Sequence, residues 1–222
     1  MNMERNPASG CVTSRREIRR QDRRDAILTV AARSFLEQGY AGTTMSGIAA
    51  TLGGSKGTLW NYFGSKEELF AAVIDHVTIE YRAGLSEILA EPCDDLRLTL
   101  KRFCTGIMDK VTTPDAISLH RLVVAEAGRF PEMGRIFYDR APLQTYVLLA
   151  EFLEGVMARG LIRAEEPMQA ARLLVTLCVS GYQQKMLMGL IETATTPMIA
   201  AEVERATDLF MRAYALEDGT PS

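Results

Sequence analysis

Polar side chains able to do recognition chemistry recur between Thr44 and Lys66, in the run TMSGIAATLGGSKGTLWNYFGSK. They are donors rather than nucleophiles. Lys56 can donate to a phosphate oxygen or to the acceptors on a guanine edge. Gly57 has no side chain to hold a helix away from a base, and Thr58 offers a hydroxyl together with a methyl suited to thymine. Trp60, Asn61 and Tyr62 bring N–H, amide and O–H groups within reach of phosphate, and Lys66 adds a further cation. With Thr44 and Ser55 at helix starts, these nine residues form a candidate DNA-contact set.

The elements that must position them are two short helices and the start of a third. Met45, Ile48, Ala49 and Leu52 fall at i, i+3, i+4 and i+7, on one helix face. Thr44 is placed to N-cap that helix, and Gly53 can stop it in the left-handed conformation. Ser55 can cap the second helix, in which Leu59 and Phe63 share the inner face. Ser65, with Glu68 three residues on, reads as a capping box for a longer helix running to Leu89–Ala90. A tight glycine turn between two helices, with a cationic front end on the second, is a helix-turn-helix layout. A helical hairpin with a solvated polar face has the same outline.

The run Thr43-Thr44, Ile48-Ala49, Leu52-Gly53, Ser55-Lys56-Gly57-Thr58-Leu59, Tyr62-Phe63 and Ser65-Lys66-Glu67-Glu68-Leu69 resembles the DNA-binding domain of the TetR family of repressors. The likeness extends from Ala26 to about Ile74. Gly47, Gly54, Trp60 and Asn61 depart from the family pattern; Gly47 denies the first helix a capping box and costs about 1 kcal/mol against alanine. The segment His120–Glu132 resembles the ligand domain of AefR-like or AcrR-like members. The resemblance implies an all-α fold, with an N-terminal three-helix helix-turn-helix domain and a C-terminal helical ligand-binding and dimerisation domain. The expected divisions are a flexible basic tail over 1–20, the DNA-binding domain over 21–81 and the ligand and dimer domain over 82–218. It further implies a homodimer paired through its last two helices and a palindromic double-stranded DNA operator. A small-molecule effector would release that operator, with the helix Leu69–Ala90 as lever. An activator, or a regulator without effector, is the alternative within the same fold.

Charge agrees with a molecule that meets a polyanion at one end. Residues 1–66 carry ten Lys and Arg against five acids, a net +5, so a total of −3 leaves −8 on the remainder. Arg15–Arg24 is a dense basic run, either a solvated helix start or an element lying on the phosphate backbone. Residues 1–14 lack periodicity. Ile27, Val30, Ala31, Phe35 and Leu36 then form a stripe that Gly39 ends, supplying the third side of a three-helix core, with Tyr40 packed beneath it.

Beyond Asp94 no alternating β-branched run occurs, and Pro114, Pro131, Gly160, Pro167 and Pro197 cut the chain into helices near 94–111, 115–128, 132–159, 166–189 and 197–215. Pro142 is placed to kink or split the third. In the last, Ile199, Val203, Ala206, Phe210, Ala213 and Tyr214 make a stripe expected to meet a partner subunit. The helix before it is apolar on most sides. The candidate ligand pocket is Met108, His120, Glu126, Tyr146, Tyr182, Gln183 and Met186: adaptable thioethers and polar groups inside apolar helices. No metal site and no cofactor are expected. Cys11, Cys93, Cys104 and Cys178 lack CxxC spacing and read as free thiols. His76 and His120 stand without a nucleophile or paired carboxylates, which argues against an enzyme. The absence of a long apolar run or a signal-like start argues for a cytoplasmic protein without a membrane partner.

Overall fold

The computed structural model describes residues 15–53 and 56–216, and among these every regular element is a helix. The order is α1 Arg15–Gly42, α2 Met45–Thr51, α3 Lys56–Trp60, α4 Lys66–Ala90, α5 Leu96–Val111, α6 Pro114–Glu126, α7 Pro131–Arg140, α8 Pro142–Ala158, α9 Pro167–Val179, α10 Tyr182–Leu187 and α11 Thr196–Ala213.

The first helix corrects the expected tail over 1–20: residues 15–20 are already helical. Arginine, glutamate and glutamine are good helix formers, and no breaker separates them from the apolar stripe that follows. Residues 1–14, with Cys11, lie outside the described residues. Gly39 breaks α1 with φ 75° and ψ 170°, a conformation costly for any other residue. Helical hydrogen bonding resumes where the Thr43 N–H donates to the Gly39 carbonyl at 3.2 Å, and the Thr43 hydroxyl donates to the same carbonyl at 2.7 Å.

Thr44 caps α2 by accepting from the Gly47 N–H at 3.0 Å. A Cβ at position 47 would stand 3.2 Å from that hydroxyl oxygen, so glycine leaves the cap room at the site where a capping box is missing. Gly53 takes the expected left-handed turn at φ 63°. Ser65 caps α4 by accepting from the Glu68 N–H, and the Glu68 carboxylate accepts from the Gly64 N–H at 2.7 Å, one residue further back than in the usual box.

Two apolar cores result. The first joins Ile27, Leu28 and Phe35 of α1, Ile48 of α2, Leu59 of α3 and Phe70 of α4, but also Val123 of α6 and Met133 of α7. The second is built from α5, α8, α9 and α11 around Phe103, Leu153 and Phe210, and it includes Leu85 of α4. Helix α4 therefore runs through both, and the expected boundary near residue 81 falls inside it. Asp75 of α4 pairs with Arg140 of α7 and fixes the two helices together.

Two expectations about the body change. The helix expected over 166–189 divides at Ser180–Gly181, where a Cβ on Gly181 would stand 2.5 Å from the Glu202 carboxylate of α11. The stripe of α11 expected to face a partner is turned inward: Ile199, Val203, Ala206, Phe210 and Tyr214 are buried within the protomer, and only Ala213 is exposed. The body has enough apolar surface of its own to cover that face. Pro142 splits the third body helix at Ala141, as its fixed φ and missing N–H allow.

Candidate nucleic-acid interface and ligand cavity

Among the described residues, the candidate positions Thr44, Gly57, Trp60, Asn61, Tyr62 and Lys66 fall on or beside α2, α3 and α4, which share one apolar core with α1. Leu59 and Phe63 are 2% exposed and hold α3 against α1 and α4. Their burial leaves Gly57, Trp60 and Asn61 exposed on the opposite side, with Thr44 exposed at the start of α2. Trp60 is 49% exposed. Ser55 and the side chains of Lys56 and Thr58 lie outside the described residues. Tyr62 is half-buried, with the Arg20 guanidinium 6.0 Å from its ring centre.

Lys66 has an internal partner. Its ammonium donates to the Tyr40 carbonyl at 2.9 Å and sits 4.2 Å from the centre of the Tyr40 ring. It thereby ties the start of α4 to the break in α1, and a phosphate contact would have to use its remaining donors.

Behind this end lies a cavity of about 250 Å³. Eight helices contribute to its wall, among them α1 through Phe35, α4 through Tyr81, α6 through His120, α8 through Thr145 and α10 through Gln183. Most of the wall is apolar, and a few polar groups could orient a guest. The Tyr81 hydroxyl lies 3.4 Å from the Thr145 hydroxyl, and burial pushes the Tyr81 pKa up to about 12. Burial also lowers the pKa of His120, whose ring lies 5.8 Å from that of Phe137, so a neutral imidazole faces the cavity at neutral pH. Tyr146 is held in the phenol form by burial, with the Arg172 guanidinium 6.0 Å from its ring centre. Lys110 also borders the cavity, but its ammonium donates to the Val77 carbonyl at 2.7 Å.

Of the seven expected pocket residues, His120, Tyr146 and Gln183 line this cavity. Met108 and Met186 are packed into the interior elsewhere, and Tyr182 stands aside with Lys185 over its ring. Glu126 belongs to a different site. Its two carboxylate oxygens accept from the Tyr40 and Ala41 N–H groups, each at 2.9 Å. The amides freed by the break at Gly39 thus find their acceptor on α6, and Gly39 is needed for the approach: a Cβ there would lie 2.7 Å from the Glu126 oxygen. Arg121, on the same helix as Glu126, donates to the Leu187 carbonyl at 2.9 Å, at the end of α10. Sequence reasoning does not reach Tyr81 and Thr145. Tyr81 continues the apolar row Phe70, Ile74, Val77 along α4, and that row is the signal that could have found it.

Comparisons with known proteins agree with this arrangement. Residues 27–73 match the family profile of bacterial regulatory proteins of the tetR family, and residues 98–216 match the C-terminal domain of AefR-like transcriptional repressors. The solved structure of the flavonoid-responsive regulator FrrA superposes with a TM-score of 0.77 at 30% identity, over 89% of this chain and 99% of that one. The transcriptional repressor AcnR of Corynebacterium diphtheriae is 39% identical over 69 residues, which is 31% of this chain and 34% of that protein. The transcriptional activator FasR of Mycolicibacterium smegmatis is 32% identical over 103 residues, 45% of this chain and 47% of that protein. The chain therefore spans less than half the length of these two curated relatives.

Two predictions test the site. Replacing Glu126 with alanine leaves the Tyr40 and Ala41 amides without their acceptor and should lower stability by about 1.5–3 kcal/mol in chemical denaturation. The folded state also holds His120 below its ordinary value of 6.5, so the unfolded chain binds more protons as acid is added. His120 therefore costs stability progressively as pH falls through about 6.5, and His120→Gln should remove that part of the loss when thermal unfolding is compared at pH 7.5 and pH 5.

Proposed function

The chain belongs to the TetR family of bacterial regulators, and on that premise we propose that it is a repressor released from a palindromic operator by a small ligand. The family is one of helix-turn-helix transcriptional regulators, not enzymes, and DNA binding belongs to the head. The release step rests on one observation: the cavity has walls from head and body helices together, with Phe35 and Phe70 on one side and Thr145 and Val175 on the other. A guest there cannot be indifferent to the head's position. It shifts the equilibrium by whatever difference in affinity it has for the two arrangements.

The wall favours an uncharged, hydroxylated aromatic or otherwise amphipathic ligand. Apolar surface dominates, Lys110 is committed to a backbone carbonyl, and the Tyr81, Thr145, Gln183 and His120 groups can exchange hydrogen bonds with hydroxyls. The flavonoid-responsive character of FrrA supports the same class. The setting is cytoplasmic; among the described residues no helix is long and apolar enough to cross a membrane.

The working unit is a homodimer paired through α9, α10 and α11, which places two recognition helices on successive major grooves. With the inner stripe of α11 buried, the pairing surface would be the exposed side of these helices, to which Leu173 of α9, 38% exposed, and Met188 after α10, 66% exposed, contribute. The identity with FasR favours one further reading, activation from the same operator.

The test is selection of genomic fragments by the purified protein, followed by a thermal-shift screen of hydroxylated aromatic compounds. A palindromic site should emerge, Asn61→Ala should weaken it at least tenfold, and a compound that raises the melting temperature should release the DNA. Compounds that stabilise the protein without affecting DNA binding would defeat the release mechanism.

A further inference from the structure

We infer that the N-terminal half of α1 is a second phosphate-binding element, running beside the recognition helix. This rests on the DNA-binding reading above. Six arginines occupy ten residues: Arg15, Arg19 and Arg23 form one row at four-residue spacing, and Arg16, Arg20 and Arg24 form a parallel row. At about 100° per residue these rows cover one half of the helix, with Asp22 and Asp25 on the other and Glu17 at the edge, beside Arg20 and Arg24. All of residues 15–20 are exposed. None of them belongs to the region that matches the family profile, which begins at residue 27.

Such a surface works against the isolated helix. The four pairs Arg15–Arg19, Arg16–Arg20, Arg19–Arg23 and Arg20–Arg24 each set like charges at i, i+4, a destabilising spacing. Arg15 and Arg16 also stand at the positive end of the helix dipole, where anions are favoured and cations disfavoured. A polyanion alongside turns all of these terms favourable.

The rows also lie where DNA would be. Arg20 is 6.0 Å from the ring centre of Tyr62 and Arg24 is 5.4 Å from that of Phe63, residues that follow closely on α3. These contacts fix the face of α1 relative to the recognition helix. From Arg20 back to Arg15, α1 extends roughly 7.5 Å at the usual helical rise, past the level of Tyr62. Arg16, Arg19 and Arg23 are not among the residues that hold those aromatic contacts, so they are left to meet phosphates flanking the groove that α3 enters.

The experiment measures affinity of the full-length protein for its selected operator, and for an unrelated duplex, as salt is raised from about 50 to about 200 mM. The variant is Arg16→Gln/Arg19→Gln/Arg23→Gln, which keeps helix propensity and leaves Arg20 and Arg24 in place. Taking three cations per protomer away from the phosphates should make the log–log salt slope of the dimer shallower by up to about 5. It should weaken both duplexes together, leaving their ratio nearly unchanged. The melting temperature should stay the same or rise, because like-charge pairs have been removed. The single variant Arg19→Gln should lower the slope by up to about 2 per dimer. An exposed body arginine, Arg159→Gln, serves as control and should leave the slope alone. A wild-type slope retained in the triple variant would overturn the inference while DNA binding stands. A wild-type protein that selects no operator would overturn the functional reading, and this inference with it.

Discussion

The carboxylate of Glu126 on the amides of Tyr40 and Ala41 is the contact on which the relation of head to body depends. It exists because Gly39 interrupts α1 with a positive φ that frees those amides and, lacking a Cβ, admits the carboxylate. An acid at the last position of α6 is disfavoured by that helix's own dipole, and two N–H donors at the start of a new helical turn offset the penalty. Lys66 closes the same corner from the other side by donating to the Tyr40 carbonyl. One glycine, one acid and one lysine thus hold α1, α4 and α6 at a point where no intact helix could bring them together.

In the release proposed above, that corner would relate a cavity walled by head and body helices to the surface assigned to DNA. Helix α6 carries His120 on the cavity wall and Glu126 at the clasp, about 9 Å apart along the helix at the usual rise. Helix α4 carries Tyr81 on the same wall and Lys66 at the corner. A guest that moves either helix moves a group holding the end of α1. In the release proposed above, the lever would be two helices, α4 and α6, each reaching from the cavity to the same corner.

Much of this is legible in the sequence because it is local. Thr44 and Ser65 as caps, Gly53 as a left-handed turn, the inner positions of Leu59 and Phe63 and the split at Pro142 all follow from spacing and residue type. What is not legible depends on elements distant in the chain. Glu126 sits inside an apolar helix with arginines on either side, and only the fold shows that its partners are amides eighty-odd residues earlier. The α11 stripe is a buried face, as its spacing requires, but periodicity cannot tell a partner subunit from the same chain. Met108 and Met186 illustrate the commoner use of methionine, filling the interior rather than a binding site. The start of α1 reads from sequence either as a solvated helix start or as an element on the phosphate backbone, and helical geometry is needed to see that its arginines form ordered rows.

The measurement that bears most directly on this account is amide hydrogen exchange at Tyr40 and Ala41, with the cavity empty and with it filled by a ligand that releases the operator. If the cavity and the head are joined at the Glu126 corner, exchange at these two amides changes markedly on ligand binding, while amides in the middle of α11 keep their rates. If the operator is released with exchange at Tyr40 and Ala41 unchanged, the signal passes by another route and the corner is only a structural joint.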